Sequence, residues 1–572
     1  MRRKKRWFFL VLIVIVGVGI IYARRQPTII PGSFLVVHLG GRYIEAQPSD
    51  FIGQLLGARK QVLIDLILEL RKATLDDRLQ GVIVKIKPAD LDFAKVQELH
   101  SLFRDLQKAG KRVIAWVSGE GASGNMTYLL ASAADEVYFS ENTVLPLTGL
   151  RATYLFLGGL WKQLEMEFQV EQIREYKTFG DFLSRQTMSE AHRQMANSLL
   201  DSLQHQFVTA IAASRSLTPE KVQALIDAPT LTASDFHQGG LIDGLKYFDE
   251  LLQDLSTPST TPPPTVSLAT YRRVKPASVG LTGDQKIAVI YGVGAVTLGE
   301  SKWSATGQSM GTDTIVKAFN HAAQDDTIKA IVFRIDSPGG SALASDLIWR
   351  AVKRAKRNKP VIASMSSVAA SGGYYIAAAA SKIVAQPASL TGSIGIVFMQ
   401  PNIKGLLSKF GVNIETLARG KFARLFDPAK SWTEAERQQI KRLLEDLYLT
   451  FIRKVAEGRG LTMDEVDLIG RGRVWTGTQA KEQKLVDALG GMNTALSLAK
   501  QAIGLSDQAG VQLVFYPKPK RLLEALVDRL SMQIMAVTAL PEPMAGFKSL
   551  LMPFVALGRG PLYAMPVIIQ VR

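Results

Sequence analysis

Cysteine is absent from this 572-residue chain. Its absence rules out disulfides, a thiol nucleophile and thiolate metal sites. Histidine is scarce: His38, His100, His192, His205, His237 and His321 are all there are. None falls in the glycine-rich stretch described below, so a histidine-based triad has no local support. No His-Glu-x-x-His pair, phosphate-binding loop or dinucleotide fingerprint occurs, and no cofactor or metal is expected. Acidic residues are in deficit, 51 against 68 basic ones, for a formal net charge of +17. No basic motif with interleaved aromatics accompanies that surplus, so it suits anionic lipid better than nucleic acid.

Long uncharged runs are also few. Met1 to Arg6 carries five basic residues, and Trp7 to Ala23 then has no charge at all. This pattern predicts a cytoplasmic basic end, residues 1–6, and a retained signal anchor across the membrane, residues 7–23. The bulk of the chain would then lie on the exported side: a bacterial inner membrane facing the periplasm, or a thylakoid. A cleaved secretion signal is the alternative. With 47% apolar and 21% charged residues, the rest is long enough for two large domains, each with its own core.

The most informative stretch is Ile331 to Gly395. The short apolar run Ile331-Val-Phe-Arg-Ile335 reads as a buried parallel strand. It leads into Asp336-Ser-Pro-Gly-Gly340, where Pro338 fixes one dihedral and the glycine pair can aim bare amides into a pocket, as an oxyanion hole requires. Val361-Ile-Ala-Ser-Met365 is the next strand, followed by Ala369-Ala-Ser-Gly-Gly-Tyr-Tyr375. Ser371 would sit at a turn into a helix, where free amides favour negative charge, which makes it the candidate nucleophile. Taken singly, Ser371 could be an ordinary helix cap and Ser-Pro-Gly-Gly an ordinary turn. Their succession as strand, turn, helix, strand, turn, helix is far more specific.

Asp336-Ser-Pro-Gly-Gly340, Ala370-Ser-Gly-Gly-Tyr374 and Leu390-Thr-Gly-Ser-Ile-Gly395 resemble the protease core of the signal peptide peptidase A (protease IV) family, membrane-bound relatives of Clp proteases and crotonases. The likeness extends over most of residues 30 to 500. It implies an α/β fold of tandem duplicated crotonase/Clp-like domains behind an N-terminal transmembrane helix. It also implies a serine/lysine-dyad peptidase that clears hydrophobic peptides such as released signal peptides. Ser371 would be the nucleophile, amides near Gly339 and Gly340 the oxyanion hole, and Ser393 a supporting residue. The family further implies a homo-oligomer, a bowl-like tetramer with its mouth at the membrane lipid. An acyl-CoA enzyme of crotonase type is the enzymatic alternative, and a non-catalytic membrane scaffold the other.

The chain duplicates itself. Asp76 to Ile86 parallels Asp325 to Ile335, Gly121-Ala-Ser-Gly124 parallels Ala369-Ala-Ser-Gly372, and Ser189 to Gln194 parallels Thr433 to Gln438. The predicted repeats are 30–254 and 280–508, with a Pro/Ser/Thr-rich tether at 255–276 and an apolar extension at 509–572, membrane-lying, inter-subunit or packed on its own domain. The copies differ where chemistry would sit. Lys87-Pro-Ala-Asp-Leu91 replaces the Ser-Pro-Gly-Gly loop, leaving Ser123 without an oxyanion hole. The first repeat's expected contribution is Lys177, because Gln169 to Lys177 resembles the segment that carries the base in long-form family members. Thr178-Phe-Gly-Asp-Phe182 departs there from the family's small and acidic run. A lysine can serve as base only when neutral, which needs burial or a neighbouring positive charge. Phe168, Val170, Ile173, Tyr176 and Phe179 could wall it in. Lys421, opposite Lys177 in the repeat register, is the alternative base. The short-form lysine segment instead aligns this position with Ala423, which favours Lys177.

Overall fold

Two runs of branched side chains, Val82-Ile-Val84 and Ile331-Val-Phe333, become the middles of two sheets. The computed structural model describes residues 26–46, 61–121, 123–256, 262–304, 307–518 and 562–565. The basic end 1–6, the apolar run 7–23 and most of 509–572 lie outside them. Among the described residues no helix is long and apolar enough to cross a membrane.

In the first sheet the strands run Thr265–Ser267, Ser33–Ile44, Leu79–Asp90, Arg112–Val117, Glu136–Phe139 and Gly244–Leu245, all parallel. The second repeats the plan with Gln512–Tyr516, Lys286–Val293, Ile328–Ser337, Val361–Ala370 and Leu390–Gly392, then adds Val474–Thr476 antiparallel at its far edge. Helices cover the faces, so the central strands need no polar side and read as unbroken apolar runs. The duplication is equally plain in the helices. Glu190–Arg215 and Glu434–Arg459 both span 26 residues, are capped by Ser189 and Thr433, and end on left-handed Ser216 and Gly460. One buried apolar cluster runs from Leu35 and Val82 of the first sheet to Val289, Val332 and Met492 of the second half.

These pairings redraw the expected boundaries. The second part of the tether belongs to the first domain: Thr265–Ser267 closes its sheet, and the hydroxyl of buried Tyr271 donates to Asp76 at 3.0 Å. Gln512–Tyr516, expected in the extension, is likewise the closing strand of the second sheet. In both cases the last strand lies beside the first, a pairing remote in sequence that no local pattern announces.

A third sheet joins the halves. Glu167–Gln172 of the first repeat pairs antiparallel with Val397–Asn402 of the second, from Gln172 opposite Val397 to Glu167 opposite Asn402. A charge network does the same from the other side. The guanidinium of buried Arg334 donates to Glu45 at 3.2 Å, to Glu98 at 2.6 Å and to Ser364 at 3.0 Å, the two carboxylates coming from the first repeat. Burial opposes ionisation of Glu45, but Arg334 beside it wins and holds the carboxyl below its ordinary value. Nearby, Lys95 bridges Asp92 at 2.8 Å and Asp336 at 3.2 Å, so a first-repeat cation holds the start of the Ser-Pro-Gly-Gly loop. Arg334→Leu would strand two buried carboxylates, a change that costs about 3–5 kcal/mol. The expected result is a lower denaturant midpoint for the transition that reports the joined core; an unchanged midpoint would mean the network is dispensable.

Candidate active site

Ser371 follows the strand Val361–Ala370 and precedes the short helix Gly372–Ala377. Its backbone sits at φ 55°, ψ −114°, a conformation L residues avoid and whose cost is about 1–3 kcal/mol. Two hydrogen bonds hold it there: its N–H donates to the Gly392 carbonyl and its carbonyl accepts from Tyr375 N–H, both at 2.8 Å. The glycines after it are required by space. A Cβ on Gly372 would lie 2.5 Å from Ser345 Oγ and 3.2 Å from Gly339 Cα, and one on Gly373 would lie 2.6 Å from the Ser337 carbonyl. The nucleophile turn and the Ser-Pro-Gly-Gly loop are therefore in direct contact.

In that loop Gly339 has φ 99° and Gly340 φ 155°. A Cβ on Gly340 would meet the Val296 carbonyl at 2.2 Å, so only glycine brings the backbone this close. Ser337 Oγ, which the sequence reading passed over, accepts from Gly339 N–H at 3.2 Å and braces the turn.

Lys177 comes from the other repeat. The strand Glu167–Gln172 delivers it across the third sheet, and Tyr176 N–H fixes the approach by donating to the Arg471 carbonyl at 3.1 Å. The side chain is 0% exposed. Its Nζ lies 2.7 Å from Ser371 Oγ, 2.8 Å from the Ser393 carbonyl and 2.9 Å from Ser393 Oγ. Burial alone holds the ammonium well below the ordinary lysine value. The three contacts suit the neutral amine: its two hydrogens go to the Ser393 oxygens and its lone pair faces the Ser371 hydroxyl, which can donate to it. Ser393 is set for this by its own left-handed backbone, φ 51°, and by its N–H donating to the Arg473 carbonyl at 2.7 Å.

The wall around Lys177 differs from the expected one. Ile173 packs into the second domain's core, Phe168, Val170 and Phe179 join a separate cluster with Trp161, and Tyr176 joins a third beside Met195. Glycine backbone closes in instead. A Cβ on Gly395 would lie 3.1 Å from Lys177 Cδ, and one on Gly472, at φ 82°, only 2.3 Å from Lys177 N. Gly395 was visible as the end of the Thr391-Gly-Ser-Ile-Gly395 motif; Gly472 carried no signal, because its role comes from a contact between residues almost 300 positions apart.

The structure brings Ser371, Lys177 and Ser393 together and sets Gly339 against the nucleophile turn. It does not bring Lys421, which is exposed with its ammonium 5.4 Å from the Phe422 ring centroid, or Ser123, which is exposed in the first repeat. Asp181, in the stretch that departs from the family run, accepts from Ser189 Oγ at 2.7 Å. Among the described residues no cluster of three or more histidines and carboxylates could hold a metal ion.

Peptidase family S49 matches residues 105–260 and 353–506, once in each half. A protein of Arabidopsis thaliana called serine protease SPPA, chloroplastic, is 32% identical over 92% of this chain and 77% of its own. Protease 4 of Salmonella typhi is 29% identical over 93% of this chain and 88% of its own. A protein of Enterococcus faecium provisionally named signal peptide peptidase SppA is 33% identical over 33% of this chain and 55% of its own.

Proposed function

Since this chain belongs to peptidase family S49 and is a serine peptidase, we propose that it works through a dyad whose nucleophile, Ser371, and base, Lys177, come from different repeats. The observation that carries this reading is the 2.7 Å contact between Lys177 Nζ and Ser371 Oγ at a fully buried lysine. Neutral Lys177 takes the Ser371 proton as Oγ attacks a peptide carbonyl. Amides near Gly339 and Gly340 stabilise the oxyanion. The ammonium then gives its proton to the departing amine, leaving an acyl ester on Ser371. Water, deprotonated by the same lysine, attacks the ester and restores both residues. Ser393 is the positioning residue that keeps Nζ on Oγ. An acyl-CoA reaction of crotonase type would need the oxyanion amides but no serine beside a buried lysine, and a scaffold would need neither.

The substrates we propose are hydrophobic peptides, cleaved signal peptides in particular, in keeping with the Enterococcus faecium relative's name. The run Trp7 to Ala23 would anchor the chain in the membrane, with the basic end in the cytoplasm and both repeats on the exported side. A homo-oligomer, a tetramer, fits an asymmetry of the repeats. The first repeat's strand before Lys177 is paired across the third sheet, whereas its counterpart, residues 411–421, is exposed, with Leu417 94% accessible. A second copy would cover it by head-to-tail contact.

The pH profile tests the dyad. A lysine whose pKa is lowered by burial is neutral and competent above that value and becomes protonated as pH falls through it. Hydrolysis of an unstructured apolar peptide is therefore expected to lose kcat/KM on acidification in a single-proton limb, while the fold persists. An acid limb absent down to the pH of unfolding would contradict a lysine base.

A further inference from the structure

We infer that the groove beside Ser371 is a strand acceptor and that the chain's own residues Leu562–Met565 occupy it as a tethered pseudosubstrate. This rests on the dyad reading given above. Leu562–Ala564 lies antiparallel to Gly339–Ser341, with Gly339 opposite Ala564, Gly340 opposite Tyr563 and Ser341 opposite Leu562. On its other edge Leu562 pairs antiparallel with Val397, in the strand that also receives the Lys177 segment. Met565 N–H donates to the Pro338 carbonyl at 2.9 Å. A segment far from both strands in sequence thus fills the slot between the oxyanion loop and the strand that carries the base.

Such pairing uses main-chain groups for affinity and alternate side-chain pockets for selectivity, the way proteins capture extended peptides. Both ends of the segment supply a side chain. Leu562 packs against the cluster of Phe168, Val397 and Met399. Met565, 5% exposed, belongs to a small buried cluster with Met195, Ala370, Leu390 and Val474, that is, with the residue before Ser371 and the strands flanking it. Met565 therefore stands where the side chain on the acyl side of a scissile bond would be held. The next residue is Pro566. A proline nitrogen carries ring carbon in place of hydrogen, which crowds the atom that must receive the lysine's proton as it leaves. The segment has the binding features of a substrate and a bond suited to resist cleavage. Being tethered, it competes at a high local concentration.

Met565→Asp in the full-length chain puts a charge in the apolar pocket and should release the segment. If the segment fills about nine grooves in ten, KM for an unstructured apolar peptide falls about tenfold with kcat unchanged. Binding of the same peptide, fluorescently labelled, to Ser371→Ala should tighten about tenfold on adding Met565→Asp, whereas Met565→Leu should leave it unchanged. Equal affinity with and without Met565→Asp overturns the proposal. That binding measurement needs no turnover, so it decides the segment's role even where the dyad reading fails in the activity assay. Pro566→Ala should convert the segment into a substrate, with residues after Met565 lost by mass spectrometry in a Ser371-dependent way. A chain that stays intact overturns the assignment of Met565 to the acyl side.

Discussion

Lys177→Ala is expected to abolish hydrolysis of an apolar peptide, a loss of about 10⁴-fold in kcat, while the protein remains folded and assembled. General-base catalysis is worth about 10²–10⁴-fold by itself. Here the same amine also serves the leaving group and the deacylating water, so its loss touches every step, and members of one catalytic unit are not additive. No other basic side chain is hydrogen-bonded to Ser371 among the described residues. Lys421→Ala supplies the contrast. Exposed and stacked near Phe422, it is expected to leave activity within about twofold, as a surface change away from the site should. A live Lys177→Ala enzyme beside a dead Lys421→Ala enzyme would mean the second repeat is self-sufficient. The fold itself need not suffer from Lys177→Ala. A buried amine kept below its ordinary pKa resists the protonation that the unfolded chain undergoes, so it is a burden on stability at neutral pH that is relieved only as pH rises toward the unfolded lysine value.

Ser371→Ala is expected to lose peptidase activity to the detection limit, about 10⁴-fold or more, with peptide binding retained. The variant removes one oxygen from a site whose backbone is held by Gly392, Tyr375 and close-packed glycines, so the turn should keep its shape. A reactive phosphonate should label the wild-type protein once per chain, at Ser371, and Lys177→Ala should label slowly, since the hydroxyl then lacks its proton acceptor. Turnover in folded Ser371→Ala would refute the nucleophile assignment. Ser123→Ala is the control: its serine is exposed and its repeat has Lys87-Pro-Ala-Asp-Leu91 in place of the glycine loop, so activity should be unchanged.

How far the site could be read in advance differs from element to element. Ser371, Gly339 and Gly340 were legible because their requirements are local. A strained turn and a backbone approaching within 2.2 Å of the Val296 carbonyl can be met only by glycine at fixed places, and such needs leave a written motif. Lys177 was reached only through resemblance, since nothing local distinguishes a buried lysine from an exposed one; Lys421 occupies the same place in the repeat and is exposed. The expected aromatic wall failed for the same reason, because side chains adjacent in sequence went to three different clusters.

By itself, the sequence determined two α/β repeats, the absence of thiol chemistry, the serine with its glycine loop, and the loss of that loop from the first copy. Each follows from composition, periodicity or the backbone demands of a few adjacent residues. Tertiary structure alone decided which lysine meets the serine, which glycines enclose it, where each sheet's last strand returns, and that Leu562–Met565 lies along the oxyanion loop. These are contacts between residues tens to hundreds of positions apart, and their partners are chosen by how whole sheets pack, which no stretch of sequence encodes locally.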